Sequence, residues 1–503
     1  MSKATRAKKS TKRKESKGTK ENKFLHSKTK HFDIIVIGAG SGGLNVASFM
    51  NKAGFSVLLC DKTDRHIGGD CLNWGCVPSK ALIHTARLAA SAQELQKFGV
   101  KTTGKINLKK VTDHIYDIKE TIREHENAEH FQARGMDVVL GKATFASKNS
   151  VLINGKEYSA KKIILATGAS PRKLQVPGID KVNYQTNESI FELKTLPKKL
   201  LIIGGGPIGM ELGQSFQRLG SQVTIIDSGD QFLPKEDKDI AQVLEKQLQK
   251  EGIEILYNQQ TIEFPTAKSL KVKDAKTNKT RILKFDEVLI SIGRSLNING
   301  LNLAKAGIQK DESGHKLLVN DYLETTNKNV LACGDVAGSY QFTHAAEMHA
   351  AVIIHNFFIP KFLSFLKKKI NYDKIAWVTY TSPEIATFGL SPTQLNQRKI
   401  KYELFEHSFT DDDRAITQGT TYGKAKLYVS TKGRILGGTM AARDAGELVQ
   451  ELLLANNAEI HINKIFSKVY PYPTAARINK YTIRPWFARK MTERAKKLMQ
   501  FFY

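Results

Sequence analysis

Apolar runs and helix-periodic segments alternate along the chain in one arrangement that occurs twice. Each copy has a short apolar strand, a glycine-rich turn, an amphipathic helix and a second apolar strand. The strands of the first copy are residues 32–37 and 56–60, and those of the second copy are 200–203 and 222–226. Two such units predict an α/β protein with two Rossmann-like dinucleotide-binding domains.

The two turns carry glycines at the spacing that a dinucleotide pyrophosphate requires. The first unit has Gly38, Gly40 and Gly43, with Asp61 after its second strand, and the second unit has Gly204, Gly206, Gly209 and Asp227. The glycines permit a tight turn and a close approach of the backbone to phosphate, which the helix N-terminus attracts. The aspartates can accept a hydrogen bond from a ribose hydroxyl. The sequence therefore predicts two bound dinucleotides.

The pattern of apolar and polar residues differs between the segment that starts at residue 81 and the segment that starts at residue 372. Residues 81–134 indicate long polar helices, and short strands follow at 136–140, 151–153 and 162–165. From residue 372 onward, shorter alternating runs are interspersed with helices. This texture predicts an α+β C-terminal domain.

One further apolar stretch, residues 353–366, includes His355, Asn356 and Pro360. These residues predict a buried helix followed by a turn. No run approaches the ~18 apolar residues of a membrane-spanning helix. The N-terminus is charged where a secretory signal would be apolar, so we expect neither a span nor a signal.

The formal net charge of +28 lies partly at the two ends of the 503-residue chain. Residues 1–31 hold twelve Lys or Arg against two Glu, which predicts a disordered basic tail. Residues 480–503 predict a basic amphipathic helix that can dock on its own domain or lie on an anionic membrane surface. Its apolar face consists of Phe487, Met491, Ala495, Leu498 and Phe502. The folded part lacks the aromatic interleaving of nucleic-acid platforms, so specific nucleic-acid binding is not expected.

The four cysteines, Cys60, Cys71, Cys76 and Cys333, are too few for a disulfide-stapled secreted scaffold. They favour a reducing, cytoplasmic location, peripheral to a membrane if the C-terminal helix binds lipid. Cys333 lies in an apolar strand and is interpreted as a buried structural thiol. No resident metal site is predicted.

Cys71 and Cys76 are too far apart for a disulfide if they lie on a regular helix. Their Cα atoms would be roughly 8 to 9 Å apart, beyond the ~7 Å limit for a disulfide. Gly75 and Pro78 permit a distorted turn that would bring the thiols together. A disulfide in so small a ring suits redox chemistry better than stability.

The thirteen residues 68–80, GGDCLNWGCVPSK, resemble the redox-active segment of the flavoprotein disulfide reductases. This pyridine nucleotide-disulfide oxidoreductase family includes dihydrolipoamide dehydrogenase, glutathione reductase and mercuric reductase. The resemblance covers about residues 32–478 and implies FAD in the first dinucleotide fold and a nicotinamide in the second. Asp227 favours NADH over NADPH, because its carboxylate would repel a 2′-phosphate.

The resemblance also implies a domain order and a homodimer. The implied segments are an FAD-binding part at 32–180, an NAD-binding domain at 181–295, a second FAD-binding part at 296–371 and an interface domain at 372–479. The interface domain would form the dimer and complete the partner's site. Electrons would pass from NADH through FAD to the cysteine pair and then to a small-molecule acceptor.

Individual roles follow from the same resemblance. Cys76 would be the flavin-proximal thiol and Cys71 the interchange thiol. Lys80 would lie near the flavin, with Glu211 as its partner. The further flavin-binding positions implied are Thr167, Gly168, Gly293, Arg294, Gly334 and Asp335.

The chain departs from the family pattern where disulfide-reducing members carry a histidine base and its orienting glutamate. Tyr472 and Arg477 stand at those positions. A tyrosine titrating near ~10 is not a base at neutral pH, so ordinary dihydrolipoamide or glutathione turnover is not expected. Mercuric reductases have a tyrosine in this region but also a C-terminal cysteine pair, whereas the last cysteine here is Cys333.

The acceptor is therefore open among an oxidised thiol species, a soft metal ion, a quinone and oxygen. Dihydrolipoyl dehydrogenase and mercuric-reductase-like activities remain alternatives. A non-enzymatic alternative is a redox-sensing flavoprotein that attaches to membrane or nucleic acid through its basic ends.

Overall fold

Two largely parallel sheets flanked by helices, together with two antiparallel sheets, form the frame of the described part of the chain. The structure, a computed structural model, describes residues 30–338, 340–489 and 493–503. This architecture confirms the predicted α/β class with two Rossmann-like folds and an α+β C-terminal domain.

The elements follow in chain order. The strands are β1 (Lys30–Ile37), β2 (Val57–Asp61), β3 (Asp137–Leu140), β4 (Ala143–Phe145), β5 (Ser150–Ile153), β6 (Lys156–Leu165), β7 (Ala169–Pro171), β8 (Lys199–Ile203), β9 (Gln222–Ile226), β10 (Glu254–Leu256), β11 (Gln259–Thr266), β12 (Ser269–Asp274), β13 (Thr280–Lys284), β14 (Glu287–Ile290), β15 (Arg294–Leu296), β16 (Val330–Ala332), β17 (Ala376–Thr379), β18 (Glu384–Gly389), β19 (Tyr402–Ser408), β20 (Lys424–Ser430) and β21 (Ile435–Ala442). The α-helices are α1 (Ser41–Lys52), α2 (Gly69–Asn73), α3 (Cys76–Glu94), α4 (Leu108–Arg123), α5 (Ala128–Ala133), α6 (Pro207–Leu219), α7 (Lys238–Lys250), α8 (Thr343–Phe357), α9 (Pro392–Gln397), α10 (Asp413–Gln418), α11 (Ala445–Leu448), α12 (Gln450–Asn457), α13 (Ile462–Ser467), α14 (Arg477–Ala488) and α15 (Glu493–Phe501).

The first sheet has the strand order β3-β2-β1-β6-β5-β4, with β16 also paired to β6. Strands β3, β2, β1, β6 and β16 run parallel, whereas β5 and β4 are antiparallel additions. The centre of β1 is fully buried on both faces, because Ile34 packs under helices α1 and α8, whereas Ile35 packs on the opposite face against β4, β5 and residues 298–317. Continuous apolar strands of this kind are typical of parallel sheets covered on both faces.

The second parallel sheet, β10-β9-β8-β14, repeats this plan around helix α6. An antiparallel sheet, β11-β12-β13, is inserted in the chain between β10 and β14. A two-stranded ribbon, β7 with β15, forms where the chain leaves the first fold and where it returns. The ribbon brings two segments that are distant in sequence to the same place.

The C-terminal sheet is antiparallel, with the order β17-β18-β21-β20-β19. Helix α14 packs on β19 and β20 and buries Ile478, Ile483 and Trp486 in the core of this domain. The predicted C-terminal helix therefore docks through its first part, which begins at Arg477 rather than at residue 480. Helix α15 carries Ala495 and Leu498 of the predicted apolar face, Phe502 follows its last residue, and Met491 lies outside the described residues.

The ends of two other predicted segments also differ in the structure. Most of the predicted tail, residues 1–31, lies outside the described residues, but Lys30 and His31 begin β1. Lys30 pairs with Asp137 at 2.8 Å, and His31 hydrogen-bonds to Ser159, which explains the longer strand.

The helix and the turn predicted at residues 353–366 are both present, but the turn is exposed. Helix α8 ends at Phe357, and Phe362 and Phe365 beyond it are largely exposed. No helix in the part of the chain that the structure describes is both long and apolar enough to span a membrane.

Candidate active site

The cysteine segment is a broken helix, as the sequence predicts. Helix α2 ends at Asn73, and α3 begins at Cys76, with Trp74 and Gly75 between them. Gly75 lies close to Asp70, and a Cβ atom at position 75 would be only 2.9 Å from Asp70 Oδ2. A larger residue would therefore require a rearrangement, whereas glycine fits. Both cysteines are free thiols, and their sulfurs hydrogen-bond to each other across the break.

The two thiols differ in acidity. The hydrogen bond from Cys71 lowers the pKa of Cys76 to about 6 against the cost of desolvation, aided by the Thr343 hydroxyl and the positive charge of Lys80. Cys76 is nevertheless exposed at the surface of the chain. The same contact with Cys76, followed by burial, raises the pKa of Cys71. Cys76 is therefore the thiolate of the pair at neutral pH, with Cys71 as its proton donor.

Thr343 is a site residue that the sequence analysis missed. It is the first residue of α8, and its Oγ1 lies 3.4 Å from Cys76 Sγ. The two residues are 267 positions apart, and a threonine at the start of a helix is common as a capping residue. No local signal could have paired them.

Lys80 and Glu211 form the ion pair that the sequence analysis expected. Lys80 Nζ lies 2.9 Å from Glu211 Oε2, where α3 packs on α6. The other oxygen, Oε1, accepts a hydrogen bond of 2.8 Å from the Tyr380 backbone N–H, and Lys80 lies over the Tyr380 ring. Glu211 is buried, so this carboxylate links the cysteine helix, the second dinucleotide fold and the C-terminal domain.

The first glycine turn has the geometry of a phosphate cradle. Gly38 has a φ of +106°, and a Cβ on Gly43 would lie 2.0 Å from the Gly38 carbonyl oxygen. Asp61 ends β2 and accepts a 2.7 Å hydrogen bond from the Ala39 N–H, which fixes its carboxylate beside the turn. Gly40 lies against Gly69 of the cysteine segment, so the turn and the thiols share one site.

The second turn repeats this geometry. A Cβ on Gly209 would lie 2.1 Å from the Gly204 carbonyl oxygen, and the space beyond Gly206 is open. Asp227 follows β9 and accepts hydrogen bonds from the N–H groups of Gly205 at 2.6 Å and Gly229 at 2.7 Å. Both aspartates predicted from the sequence therefore lie at their turns.

Arg294 joins the remaining predicted residues. Its Nη2 donates to the Ala169 carbonyl at 2.6 Å, and its guanidinium lies 3.3 Å from Asp70 and 3.6 Å from Asp335. Burial raises the pKa of Asp335 to about 6, although Arg294 opposes the shift. Within the described part of the chain, Arg294 Nε is a buried donor without a hydrogen-bond partner.

The other predicted positions surround this cluster. Asn297 accepts at its backbone carbonyl from the Thr167 hydroxyl at 2.8 Å and donates its backbone N–H to Gly168. Gly293 accepts from the Arg172 N–H, and Gly334 donates its N–H to His349 Nδ1 at 3.0 Å. The β7–β15 ribbon and the end of β16 therefore assemble these residues beside the first turn.

Comparison with known proteins identifies the family. The model of the pyridine nucleotide-disulphide oxidoreductases matches residues 32–350, and the model of their dimerisation domain matches residues 375–481. The chain belongs to this family. The Cys71–Cys76 segment and both dinucleotide turns lie within the first match.

The relatives include several activities. The chain is 29% identical to a mercuric reductase of Staphylococcus aureus over 91% of this chain and 82% of the relative. It is 31% identical to a dihydrolipoyl dehydrogenase of Chlamydia trachomatis over 89% of this chain and 95% of the relative. The solved structure of the HOCl-induced flavoprotein disulfide reductase RclA from Escherichia coli matches with a TM-score of 0.78 and 25% identity, covering 90% and 99% of the two chains.

Family membership implies FAD and a pyridine nucleotide as cofactors. The first site fits a dinucleotide pyrophosphate, because its glycine turn lies at the N-terminus of α1 and leaves the backbone open to a phosphate. Bound FAD would supply two-electron chemistry between a nicotinamide and the thiol pair. A dimerisation domain is also present, as expected from the sequence.

Tyr472 and Arg477 lie in the C-terminal domain and contact each other. Tyr472 is 67% exposed and donates a 3.2 Å hydrogen bond to Asp413. This bond raises the pKa of Tyr472 above its usual range. The Arg477 guanidinium lies over the Tyr472 ring, 5.2 Å from its centroid. The Tyr472 phenol therefore contacts the Asp413 carboxylate and the Arg477 cation, and it stays protonated at neutral pH.

Proposed function

We propose that this protein is an NADH-dependent FAD enzyme that passes electrons through Cys71 and Cys76 to a small-molecule acceptor. The observation that carries the proposal is the thiol pair itself, in which Cys71 and Thr343 stabilise a Cys76 thiolate. A structural thiol would have no need of this arrangement. Cys333, which is fully buried, has its pKa raised to about 12 by burial alone.

The proposed roles follow the geometry. Cys76 is the flavin-proximal thiolate, and Cys71 is the interchange thiol that meets the acceptor. Oxidation of the Cys76 thiolate and the Cys71 thiol closes a Cys71–Cys76 disulfide and delivers two electrons and the Cys71 proton to the acceptor, and NADH supplies the next pair of electrons. Lys80, held by Glu211, keeps a positive charge near the thiolate.

The proposed cofactor contacts are divided between the two folds. FAD would be held by Gly38, Gly40, Gly43, Asp61, Thr167, Gly168, Gly293, Arg294, Gly334 and Asp335. NADH would be held by Gly204, Gly206, Gly209 and Asp227. The domain division at residues 180, 295, 371 and 479 is proposed with these contacts, as is a homodimer in which Tyr472 reaches the partner's thiols.

Reduction of a soft metal ion is the second candidate function. It is supported by the mercuric reductase relatives and by Tyr472, a protonated phenol where a disulfide-reducing enzyme needs a base. A thiolate is a good ligand for soft ions, and their reduction requires no proton relay.

Steady-state NADH oxidation tests the proposal with an acceptor panel of a lipoamide disulfide, a soft metal ion, a quinone and oxygen. Rapid oxidation with at least one acceptor supports an enzyme, and the fastest acceptor identifies its class. NADH oxidation that no acceptor stimulates would contradict the proposal and support the redox-sensor alternative.

We expect the Cys76 thiol to titrate near pH 6, and we expect this value to rise in Cys71→Ala. Removing the donor destabilises the thiolate, and destabilising the charged form of an acid raises its pKa. Alkylation of the reduced protein by iodoacetamide from about pH 5 to about pH 9 measures the midpoint, with the Cys76 peptide followed by mass spectrometry. Cys71→Ser, which keeps a donor, is the matched control. A midpoint near ~8.5 in the unmodified protein would contradict the assignment.

We expect NADH to be preferred over NADPH, with the preference narrowed in Asp227→Ala. The carboxylate lies at the second turn, where it can accept from a ribose hydroxyl and repel a 2′-phosphate. The ratio of kcat/KM for the two nucleotides measures the preference. Asp227→Asn is the charge control, because it keeps an acceptor and removes the repulsion. Equal kcat/KM values for NADH and NADPH in the unmodified protein would rule out this role for Asp227.

A further inference from the structure

The segment after helix α8 exposes several large apolar side chains together. Phe362 and Phe365, on a 3₁₀ turn at Lys361–Leu366, are 80% and 77% exposed. Phe358 and Leu366 are about half exposed. The Phe358 and Phe49 rings pack edge to face, with their centroids 6.3 Å apart. We call Phe49, Phe358, Phe362, Phe365 and Leu366 the aromatic patch. Contiguous exposed apolar surface of this kind marks an interaction site.

The turn that carries Phe362, Phe365 and Leu366 is connected to the rest of the protein by hydrogen bonds and an ion pair. The buried Asn356 side chain donates to the Lys368 carbonyl at 2.8 Å and accepts from the Lys368 N–H at 2.8 Å. Lys367 pairs with Glu324 at 3.2 Å. The C-terminal end of the turn is therefore anchored to α8 and to Glu324.

Positive charge surrounds the aromatic patch. Residues 361–369, KFLSFLKKK, include four lysines and no acidic residue. Burial lowers the pKa of the neighbouring Lys162, and the charges of Lys367 and Lys361 lower it further against the pull of Glu324. The lysines are thus close enough to act on one another. A surface that combines apolar tips with clustered cations complements anionic headgroups above an acyl layer.

We propose that the aromatic patch and its lysines dock this protein on the surface of an anionic lipid bilayer. Phe362 and Phe365 enter the boundary between headgroups and acyl chains, while Lys361 and Lys368 lie at the headgroups. Binding of the aromatic patch to lipid does not depend on which acceptor the thiols reduce. Helix α15 offers a second contact of the same composition, with exposed Leu498, Phe501 and Phe502 beside Arg494 and Lys497.

Co-sedimentation of the full-length holoenzyme with vesicles tests the docking. The vesicles contain phosphatidylcholine with or without about one third phosphatidylglycerol, in about 0.1 M and about 1 M salt. We expect binding only to the anionic vesicles, and weaker binding at high salt. Phe362→Ser combined with Phe365→Ser should weaken binding by about tenfold or more, because burying a phenylalanine is favourable. Lys361→Glu combined with Lys368→Glu should weaken it by at least about fivefold per site.

Phe98→Ser is the matched control, because Phe98 is 81% exposed and lies outside the aromatic patch. It should bind like the unmodified protein, and all variants should retain NADH oxidation. Vesicle binding unchanged in the Phe362/Phe365 variant would overturn the proposal. A change in oligomeric state without loss of vesicle binding would assign the patch to a second copy of the chain. That result would also overturn the proposal.

Discussion

Dihydrolipoamide oxidation by this protein is expected to be slow, and Tyr472→His combined with Arg477→Glu should accelerate it by about 10²–10⁴-fold. A thiol substrate arriving at Cys71 needs a group that accepts its proton. Tyr472 cannot do so at neutral pH, because its hydrogen bond to Asp413 raises its pKa further. An imidazole titrates near ~6.5, and a glutamate in place of the Arg477 cation can orient it.

Both positions are suited to this test. Tyr472 is mainly exposed. Arg477 lies over the rings of Tyr472 and Tyr481 and donates to the Tyr481 hydroxyl at 2.7 Å. The measurement is kcat/KM for dihydrolipoamide with NAD⁺ as a function of pH. A gain that follows the titration of a group near pH ~6.5 supports the assignment. Tyr472→Phe is the control, because it removes the hydroxyl without adding a base and should give no gain. If the unmodified protein already turns over at ~10 to 10³ per second, the base lies elsewhere.

Cys71→Ser should lower NADH-dependent acceptor reduction by at least about 10³-fold. A serine hydroxyl can replace the hydrogen bond to Cys76 but cannot form a disulfide or attack an acceptor as a thiolate does. The first NADH consumed per protein should still be oxidised, because that step does not use Cys71. Stopped-flow measurement of NADH absorbance separates this first turnover from the steady state.

Cys60→Ser is the matched control for loss of a thiol. Cys60 is buried and donates to the Gly141 carbonyl at 3.3 Å, a bond that serine can keep, so turnover should not change. Cys76→Ser should be as inactive as Cys71→Ser. Full steady-state turnover in Cys71→Ser with a given acceptor would show that this acceptor takes electrons without the thiol pair, and the proposed route would fail for it.

The sequence was sufficient for the features that depend on neighbours along the chain. A strand, a glycine turn and a helix are local, so the turns at Gly38 and Gly204 could be predicted with the aspartates that close them. The break between Cys71 and Cys76 was also predictable, because a regular helix would hold the thiols too far apart. The thirteen-residue segment around them was specific enough to indicate the family before any fold was known.

Only the tertiary structure decided which distant groups meet. Thr343 reaches Cys76 across 267 positions, and Tyr380 joins Lys80 and Glu211, because separate domains pack around the cysteine helix. The structure also decided which apolar residues are covered. Trp486 is buried against the C-terminal sheet, whereas Phe362 and Phe365 face outward. Apolar composition predicts that burial would be favourable, but whether a side chain is buried depends on what the folded chain places over it.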